Sequence, residues 1–468
     1  MLSAESLWDP LALAAGQVLL AMGVLAVILA TGRRIGQRLQ LRLWGVPEAL
    51  VAGILGLLVS PSGLVPLLPE PLMALWAELP LVLLTLVFGS LMLGKPLPQL
   101  KGLWRPVTGQ VSLALVLGLG QYVVGGLVVL LVLQPWLGVP STMACLIEVA
   151  YEGGHGSAAA MGASYAALGF PGGQDLGLAM ATVGLLSSTL VGGVLVVVGR
   201  QKGWLLSESL SCDLPAPGQP SGGMAGADAD HPHPAWALWA VNLAMVGVAV
   251  MAGLGLLHLL RLGTDAIGGG VASVGQALPV FPLAIIGSLL IRWLLQRCQL
   301  THWASAPIQS EIGTLSADLL ITSATACLNL ALLAADWLPL TVLALSGLVW
   351  NLGVTLLLAP RLLPADWFER AILEFGQATG VAASGLLLLR MADPEDHSEA
   401  LPAFSLKQLL LQPFLAGGVV TVVAPLGVAG WGLPAWTGFC LAFVLLAGGV
   451  GLLIARLGRD TQASALQP

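Results

Sequence analysis

Apolar runs long enough to cross a membrane as helices recur throughout this chain of 468 residues. A transmembrane helix needs about 20 predominantly apolar residues, and here 57% of the residues are hydrophobic and only 9% are charged. The sequence therefore predicts an all-α polytopic membrane protein. The predicted spans lie at roughly 11–31, 46–68, 74–94, 107–133, 175–199, 235–259, 277–297, 311–333, 338–358, 405–428 and 434–455.

Two glycine-rich segments, about 142–172 and 371–390, remain outside these spans. If each is re-entrant, entering and leaving the membrane on one side, the lysines and arginines near the span ends, Lys407 included, fall on one face of the membrane. Arg261 alone falls on the other face. Basic residues concentrate at cytoplasmic ends. We therefore expect a multi-pass protein of the cell (inner) membrane, with its N-terminus outside and its C-terminus cytoplasmic.

The segment 203–234 is rich in Pro, Gly, Ala and Asp and is predicted to be a flexible cytoplasmic linker. Its two histidines, His231 and His233, supply too few ligands for a structural metal site. The five cysteines show no ligand-like spacing. We predict no cofactor, no metal beyond a coupling Na⁺, and no nucleic-acid partner.

The two glycine-rich segments resemble each other. EGGHGSAAA from Glu152 aligns with EFGQATGVA from Glu374, and LVGGVLVVV at 190–198 aligns with LAGGVVTVV at 415–423. The glycine pairs in the second alignment are interpreted as close helix packing. Five spans precede the linker, so the second copy runs in the opposite sense across the membrane, as inverted repeats do.

This repeat divides the chain. Each repeat is predicted to have about five transmembrane helices and one re-entrant hairpin, and the two hairpins are opposed. The predicted units are an N-terminal repeat over 1–202, the linker over 203–234, a C-terminal inverted repeat over 235–428, and an extra transmembrane helix with a tail over 429–468.

The hairpins are the predicted substrate and ion site. Backbone that leaves the helix at membrane depth is tolerated only inside protein or beside a water-filled cavity. In secondary transporters, such broken elements from two inverted repeats meet near the midplane around substrate and ions. The candidate residues are Glu152, Gly153, Gly154, His155, Gly156 and Ser157 in the first hairpin and Glu374, Gly376, Gln377, Thr379 and Gly380 in the second.

The polar side chains of the hairpins admit more than one role. Glu152 and Glu374, which the repeat aligns, either bind a cation or exchange a proton, or cap half-helix N-termini. His155 either contacts a substrate carboxylate or moves a proton, or is held by a structural hydrogen bond. The hydroxyls of Ser157 and Thr379 suit substrate or Na⁺, and they can instead bond to the helix backbone.

A polar stripe runs along the span 311–333. Its members recur at spacings of four, three and four, which places them on one helical face. Such a stripe faces a cavity or a partner helix rather than lipid, and we predict that it lines the translocation pathway. The residues are Asp318, Thr322, Thr325 and Asn329.

These motifs together resemble the sodium/glutamate symporter family over most of the chain up to about residue 428. The resemblance is carried by Pro47, Glu48 and Gly53, by GGHGS at 153–157, by GTLSADLLITSATACLNL at 313–330, and by the late glycine-rich hairpin. It implies Na⁺-coupled uptake of glutamate by alternating access, opposed re-entrant loops and a homodimer. The chain departs from the family pattern S-G-G-H-G-T-G at Glu152, Ser157 and Ala158.

No nucleotide-binding loop or catalytic triad is visible in the sequence, so we predict no enzyme and expect an ion gradient as the energy source. The expected function is a secondary active transporter that takes up glutamate, or a related amino or carboxylic acid, with Na⁺. The alternative is a proton-coupled carrier or exporter of another organic anion, which Glu152, Glu374 and His155 favour. An intramembrane hydrolase built on His155 lacks an activated nucleophile.

Overall fold

The computed structural model describes residues 5–41, 46–61, 63–94, 104–206, 235–268, 272, 275–276, 278–364, 366–394 and 397–465. All regular secondary structure in these ranges is helical, and eight of the described helices are long and apolar enough to cross a membrane. The chain is thus an all-helical, multi-span membrane protein, which confirms the predicted fold class. The predicted linker lies outside the described residues from position 207 to position 234.

The helices are numbered in chain order. They are α1 Glu5–Arg38, α2 Glu48–Leu58, α3 Glu70–Leu91, α4 Trp104–Val128, α5 Leu146–Tyr151, α6 Gly154–Ala160, α7 Gly162–Ala167, α8 Gly173–Gln201, α9 Ala235–Ile267, α10 Phe281–Arg297, α11 Ala306–Ala326, α12 Leu330–Ala335, α13 Trp337–Gly353, α14 Trp367–Ala392, α15 Ala400–Leu411, α16 Val419–Trp431 and α17 Leu433–Ala465.

The order of elements in the first half returns in the second. Helices α1 to α3 precede the long helix α4, and α9 to α12 precede the long helix α13. Both long helices continue into a π-helical turn, at Val129–Leu133 and Val354–Leu358, an offset of 225 residues. The glycine pairs 192–193 and 417–418 are separated by the same offset. This offset relates positions of the two halves outside the hairpin turns, whose glycines Gly154 and Gly380 are 226 residues apart.

The first three helices of each half pack together as a scaffold. Helix α3 packs against α10 and α11, α2 packs against α11, and α9 packs against α10. Small residues allow α2 and α11 to approach closely, since Gly53 faces Thr325 and Gly56 faces Ala326. Such contacts are usual between helices in a membrane, where there is no hydrophobic effect to drive helices together.

Helix α2 is shorter than the span predicted at 46–68. It ends at Leu58 because the chain turns at Ser60 and Pro61, and the amide of Val65 donates back to Leu58 O at 3.0 Å. With 11 residues, it is too short to cross a bilayer alone.

Residues 141–167 form a helical hairpin, called hairpin 1. A methyl group placed on Gly177 of α8 would lie 3.0 Å from Ala158 Cβ and 3.7 Å from Leu146 Cδ2. A straight helix would hold those two residues about 18 Å apart, so the chain reverses between them. The reversal lies at Gly153 and Gly154, and Gly154 has a φ of 69°.

Helix α14, called hairpin 2, also reverses. A methyl group placed on Gly376 would lie 2.6 Å from Gly385 N, although a straight helix would separate these residues by about 13 Å. The turn is at Gly380 and Val381, where the backbone is not helical. The structure therefore confirms the second predicted hairpin, inside a helix that is long enough to be taken for a full span.

The segment after hairpin 2 is interrupted. The predicted span 405–428 consists of α15 and α16, separated by residues 412–418, called the break. Pro413 has no backbone N–H, and Ala416 and Gly417 have φ values of 55° and 92°. The extra helix α17 packs along α4, where Gly126 faces Thr437.

Candidate functional site

The two hairpins meet tip to tip. A methyl group placed on Gly154 would lie 2.5 Å from Val381 Cγ1. The tips of the two hairpins therefore face each other, and their entry from opposite sides of the membrane stays a prediction. The left-handed backbone suits Gly154, whereas Val381 has a φ of 70° with a branched side chain. Strain of this kind costs about 1–3 kcal/mol and is maintained by the surrounding structure.

Polar side chains of α4 and α13 support the tip of hairpin 2. Gln121 Nε2 donates to Ala378 O at 2.6 Å, and Asn351 Nδ2 donates to the same oxygen at 2.9 Å. Asn351 Nδ2 also donates to Thr379 Oγ1 at 3.0 Å. Backbone carbonyls that leave a helix at membrane depth need such partners. The structure thus places Thr379 in a network that supports the turn.

The structure shifts the predicted alignment of the hairpins by about one helical turn. Glu152 lies at the tip of hairpin 1, two residues before Gly154, whereas Glu374 lies inside the first arm of hairpin 2, six residues before Gly380. The residue of hairpin 1 at the corresponding place is Glu148. The predicted equivalence of Glu152 and Glu374 is wrong because the alignment matched glycine spacings, and only the backbone shows which glycine makes the turn.

Glu374 pairs with a buried lysine. Lys407 Nζ lies 2.9 Å from Glu374 Oε2, and the two side chains are 1% and 2% exposed. The ammonium also donates to Gln377 Oε1 at 3.1 Å and to Gln408 Oε1 at 3.2 Å. Each of its three N–H groups therefore has an acceptor. Gln110 Nε2 of α4 donates to the other oxygen of Glu374 at 2.7 Å.

The position of Lys407 differs from the one predicted. The positive-inside pattern counts Lys407 among the lysines at the cytoplasmic surface, but the side chain lies inside the protein, with its ammonium 4.3 Å from the centre of the Phe404 ring. A buried ammonium requires a paired carboxylate and further hydrogen bonds, and Glu374 and Gln377 provide them. Sequence position alone cannot show this pairing.

Glu152 has a carboxylate oxygen without a partner. The side chain is 5% exposed, and Oε2 is buried with no hydrogen bond among the described residues. Gln377 is a hydrogen-bonding neighbour of the carboxylate. A methyl group placed on Gly118 of α4 would lie 2.6 Å from Oε2 and 3.3 Å from Leu415 Cδ1 in the break. Because an unpaired buried charge is costly, this oxygen is a candidate ligand for a cation or a proton.

Glu148 is a third buried carboxylate and is not among the candidate residues that the sequence predicts. Tyr122 Oη donates to Glu148 Oε2, while Thr421 Oγ1 at 2.9 Å and Ala416 N at 3.3 Å donate to Oε1. These bonds tie the first arm of hairpin 1 to α4, to the break through Ala416 and to α16 through Thr421. The sequence does contain a signal, since Glu148 and Glu152 are four residues apart on one helical face.

His155 and Ser157 lie in the second arm of hairpin 1. His155 Nε2 is 3.0 Å from Thr182 Oγ1, and that hydroxyl donates to Leu178 O at 3.0 Å, so Nε2 is the donor to Thr182. Ser157 Oγ is buried with no partner in the described part of the chain. A methyl group placed on Gly417 would lie 2.5 Å from it. The hydroxyl of Ser157 therefore faces the break, while the unpartnered oxygen of Glu152 lies beside Gly118 of α4.

The remaining candidate glycines are positions of close contact. A methyl group on Gly156 would lie 3.0 Å from Leu84 Cδ1 of the scaffold, and one on Gly380 would lie 2.7 Å from Ser188 Cβ of α8. Gly153 packs on Ser157 in the same way. Their absent side chains let the hairpins approach their neighbours, and a direct role in binding stays a prediction.

The predicted polar stripe lies mainly on α11 of the scaffold, a helix that also packs against α6 of hairpin 1. Its members are Asp318, Thr322, Thr325 and Asn329. Asp318 Oδ2 pairs with Arg33 Nη2 of α1 at 2.5 Å, and Thr322 Oγ1 lies 3.2 Å from Ala49 O of α2. Asn329 caps the N-terminus of α12. The first three residues therefore face partner helices, and their role in the translocation pathway stays a prediction.

The buried cluster has more carboxylates than ammonium groups. Glu148, Glu152 and Glu374 are all within it, and Lys407 is the cation that pairs with one of them. An excess of buried negative charge requires protons or a further cation. The unpartnered oxygens of Glu152 and Ser157 are hard oxygen ligands of the kind that suit Na⁺. Among the described residues, no group of three or more His, Cys, Asp and Glu side chains could hold a metal ion.

Comparisons with known proteins give one distant likeness. No protein-family model and no curated protein matches the chain. Among solved structures, the sodium proton antiporter of Methanocaldococcus jannaschii at pH 8 matches over 92% of this chain and 99% of its own, with 14% identity and a TM-score of 0.37. A likeness this distant carries no function to the chain, whose own helices and hairpins define it as an all-helical, multi-span membrane protein.

Proposed function

We propose that the protein is a cation-coupled secondary active transporter whose substrate and coupling ion bind between the two hairpin tips and the break. The proposal rests above all on one observation, the surplus of buried carboxylates at the hairpins. Ionisable groups at membrane depth are costly and mark ion, proton or substrate pathways. Glu152, with its unpartnered oxygen, is the residue proposed to bind the coupling cation.

The finer proposal is Na⁺-coupled uptake of glutamate or a related amino or carboxylic acid. It is supported by the motif resemblance together with the paired hairpins. An anionic solute beside the carboxylates of the cluster requires a cation between them, and Na⁺ on Glu152 and Ser157 supplies it. In this proposal the protein is a homodimer in the cell membrane, with its N-terminus outside and its C-terminus cytoplasmic, and works by alternating access.

The second candidate function is a proton-coupled carrier or exporter of another organic anion. The observation that favours it is the set of titratable groups in hairpin 1, where Glu148, Glu152 and His155 lie within two helical turns of sequence. Each could bind a proton in place of a metal ion. The two candidates differ in the gradient that drives transport and share the site.

The test is uptake of radiolabelled glutamate into proteoliposomes containing the purified protein, with either an inward Na⁺ gradient or a pH gradient. The proposal predicts uptake that requires Na⁺ and is lost on Glu152→Gln, because the neutral amide removes the charge that holds the cation. The matched control is Glu78→Gln, an exposed carboxylate of α3, which should leave uptake unchanged.

Uptake driven by the pH gradient alone would replace the first candidate with the second. If neither gradient drives glutamate, the glutamate assignment is wrong. Equal activity of Glu152→Gln and Glu78→Gln under a Na⁺ gradient would contradict the role of Glu152.

A further inference from the structure

The two hairpins carry different charges although they are copies of one element. Each has a glutamate six residues before a glycine of its turn, Glu148 in hairpin 1 and Glu374 in hairpin 2. Hairpin 1 has a second carboxylate at its tip, Glu152, which Lys407 attracts electrostatically without forming an ion pair with it. The described chain places no ammonium or guanidinium group within ion-pair distance of Glu148 or Glu152. Glu374, in contrast, has the ammonium of Lys407 at 2.9 Å.

Part of the difference comes from one position of the repeat, and the other part is the additional carboxylate Glu152 of hairpin 1. The offset of 225 residues that relates the π-helical turns also relates the glycine pairs that follow the hairpins. Applied to Lys407, ten residues before Gly417, it leads to Thr182, ten residues before Gly192. The second half thus has an ammonium where the first half has a hydroxyl. Thr182 lies against its own hairpin through His155, at 3.0 Å.

The ammonium of Lys407 is buried and surrounded by oxygen atoms of hairpin 2 and α15, as a bound cation would be. It is 1% exposed, it contacts oxygens of Glu374, Gln377 and Gln408 between 2.9 and 3.2 Å, and a ring face covers it. Hairpin 1 instead presents two oxygens without a donor, Oε2 of Glu152 and Oγ of Ser157. The chain therefore supplies a cation at hairpin 2, whereas at hairpin 1 a proton or a cation from outside the chain has to compensate the charge.

We propose that Lys407 is a tethered counter-cation that takes, at hairpin 2, the place that a coupling Na⁺ takes at hairpin 1. This inference rests on the proposed function, and it adds a stoichiometry: the lysine reduces by one the number of Na⁺ ions that each chain binds at its hairpins. Removing the ammonium while leaving Glu374 creates an additional Na⁺ site. Placing a lysine at position 182 removes the site of hairpin 1.

The experiment counts ²²Na⁺ bound at saturation per chain of purified, folded protein. Lys407→Thr, which gives the second repeat the residue of the first, is expected to bind one more Na⁺ than the unmodified protein. Adding Glu374→Gln to that variant removes the new carboxylate ligand and should return the count to that of the unmodified protein. Lys202→Thr, at an exposed lysine, is the matched control and should leave the count unchanged.

The variant Thr182→Lys tests the inference independently and is expected to bind one Na⁺ fewer than the unmodified protein. It provides the test if Lys407→Thr does not fold. A folded Lys407→Thr with an unchanged count overturns the inference, and so does an unchanged count in Thr182→Lys when the unmodified protein binds Na⁺. The count of the unmodified protein tests Na⁺ coupling itself. A count of zero there contradicts the proposed function, while the increment in Lys407→Thr still tests the role of the lysine.

Discussion

At the scale of single residues, the hydrogen bonds to buried carboxylates should matter most for stability. Tyr122 donates to the Glu148 carboxylate, and Tyr151 donates to the neutral carbonyl of Ala344 at 2.8 Å. Hydrogen bonds to charged groups contribute about 1.5–3 kcal/mol, compared with about 0.5–1.5 kcal/mol for neutral pairs. We therefore expect Tyr122→Phe to lower the thermal unfolding midpoint about twice as much as Tyr151→Phe, as measured by tryptophan fluorescence in detergent.

The two substitutions remove the same hydroxyl from side chains that are both 1% exposed, so each serves as the control for the other. Equal shifts in the midpoint would mean that the acceptor of Tyr122 carries no charge in the folded protein. That result would favour a protonated Glu148 and therefore the proton-coupled alternative.

Asp393, just beyond hairpin 2, should make stability depend on pH. Burial acts to raise the pKa of its carboxyl, but hydrogen bonds from the Ser398 side chain and from the backbone N–H groups of His397 and Ser398 outweigh it, and the pKa is lowered. A carboxyl with a lowered folded pKa stabilises the fold above its unfolded pKa, and this contribution is lost as pH falls through the folded value.

Asp393→Asn should therefore lower the unfolding midpoint at pH 7, and the difference from the unmodified protein should shrink as pH falls below about 4, where the unfolded carboxyl takes up its proton. The exposed Asp265→Asn is the control. A difference that stays constant between neutral and acidic pH would show that the charge of Asp393 is not what stabilises this turn.

At the scale of elements, transport should depend on the fit between the hairpin tips. Gly154→Ala forces a side chain into a left-handed backbone at about 1–2 kcal/mol and places its methyl group 2.5 Å from Val381 Cγ1. We expect uptake into proteoliposomes to fall at least tenfold while the protein still folds. Adding Val381→Gly removes the facing methyl groups and should restore part of the uptake.

Gly255→Ala is the matched control for Gly154→Ala, because a methyl group on this glycine of α9 meets nothing within 4 Å. Full uptake by folded Gly154→Ala would mean that the tips do not meet during transport. Failure of Val381→Gly to restore any activity would assign the loss to the backbone of Gly154 rather than to the contact.

The sequence predicts the helices and hairpins better than it predicts the contacts between them. Glycine, hydroxyl and carboxylate residues inside apolar surroundings were enough to predict both hairpins. The break could not be predicted, because the sequence pattern of Gly417 and Gly418 is the same as that of the packing glycines Gly192 and Gly193 in α8. Of these four glycines, Gly417 alone adopts the left-handed backbone. Glu148 and Lys407 acquire their roles from partners far away in sequence, Thr421 and Glu374, which no local pattern identifies.

At the scale of the whole molecule, hairpin 1 determines on which side of the membrane the later segments lie. The side depends on whether hairpin 1 crosses the membrane or returns to the side from which it entered. Between Trp136, at the end of the long helix that begins as α4, and Cys298, which follows α10, the chain contains hairpin 1 and the helices α8, α9 and α10. If α8, α9 and α10 each cross the membrane, as the predicted spans require, and hairpin 1 does not, three elements cross, and the two positions lie on opposite sides. If it crosses, four elements cross, and the positions lie on the same side.

This parity can be read by labelling single cysteines with a membrane-impermeant maleimide. Both positions are exposed, Trp136 by 81%. If the N-terminus is outside and the segment 46–68 crosses as the sequence predicts, a chain whose one cysteine is Trp136→Cys should label in right-side-out vesicles, and a chain that keeps only Cys298 should label in inside-out vesicles. The reverse pattern would invert the molecule but preserve both hairpins. Labelling of both positions from the same side would mean that hairpin 1 crosses the membrane, and its tip could then not face hairpin 2 at mid-depth.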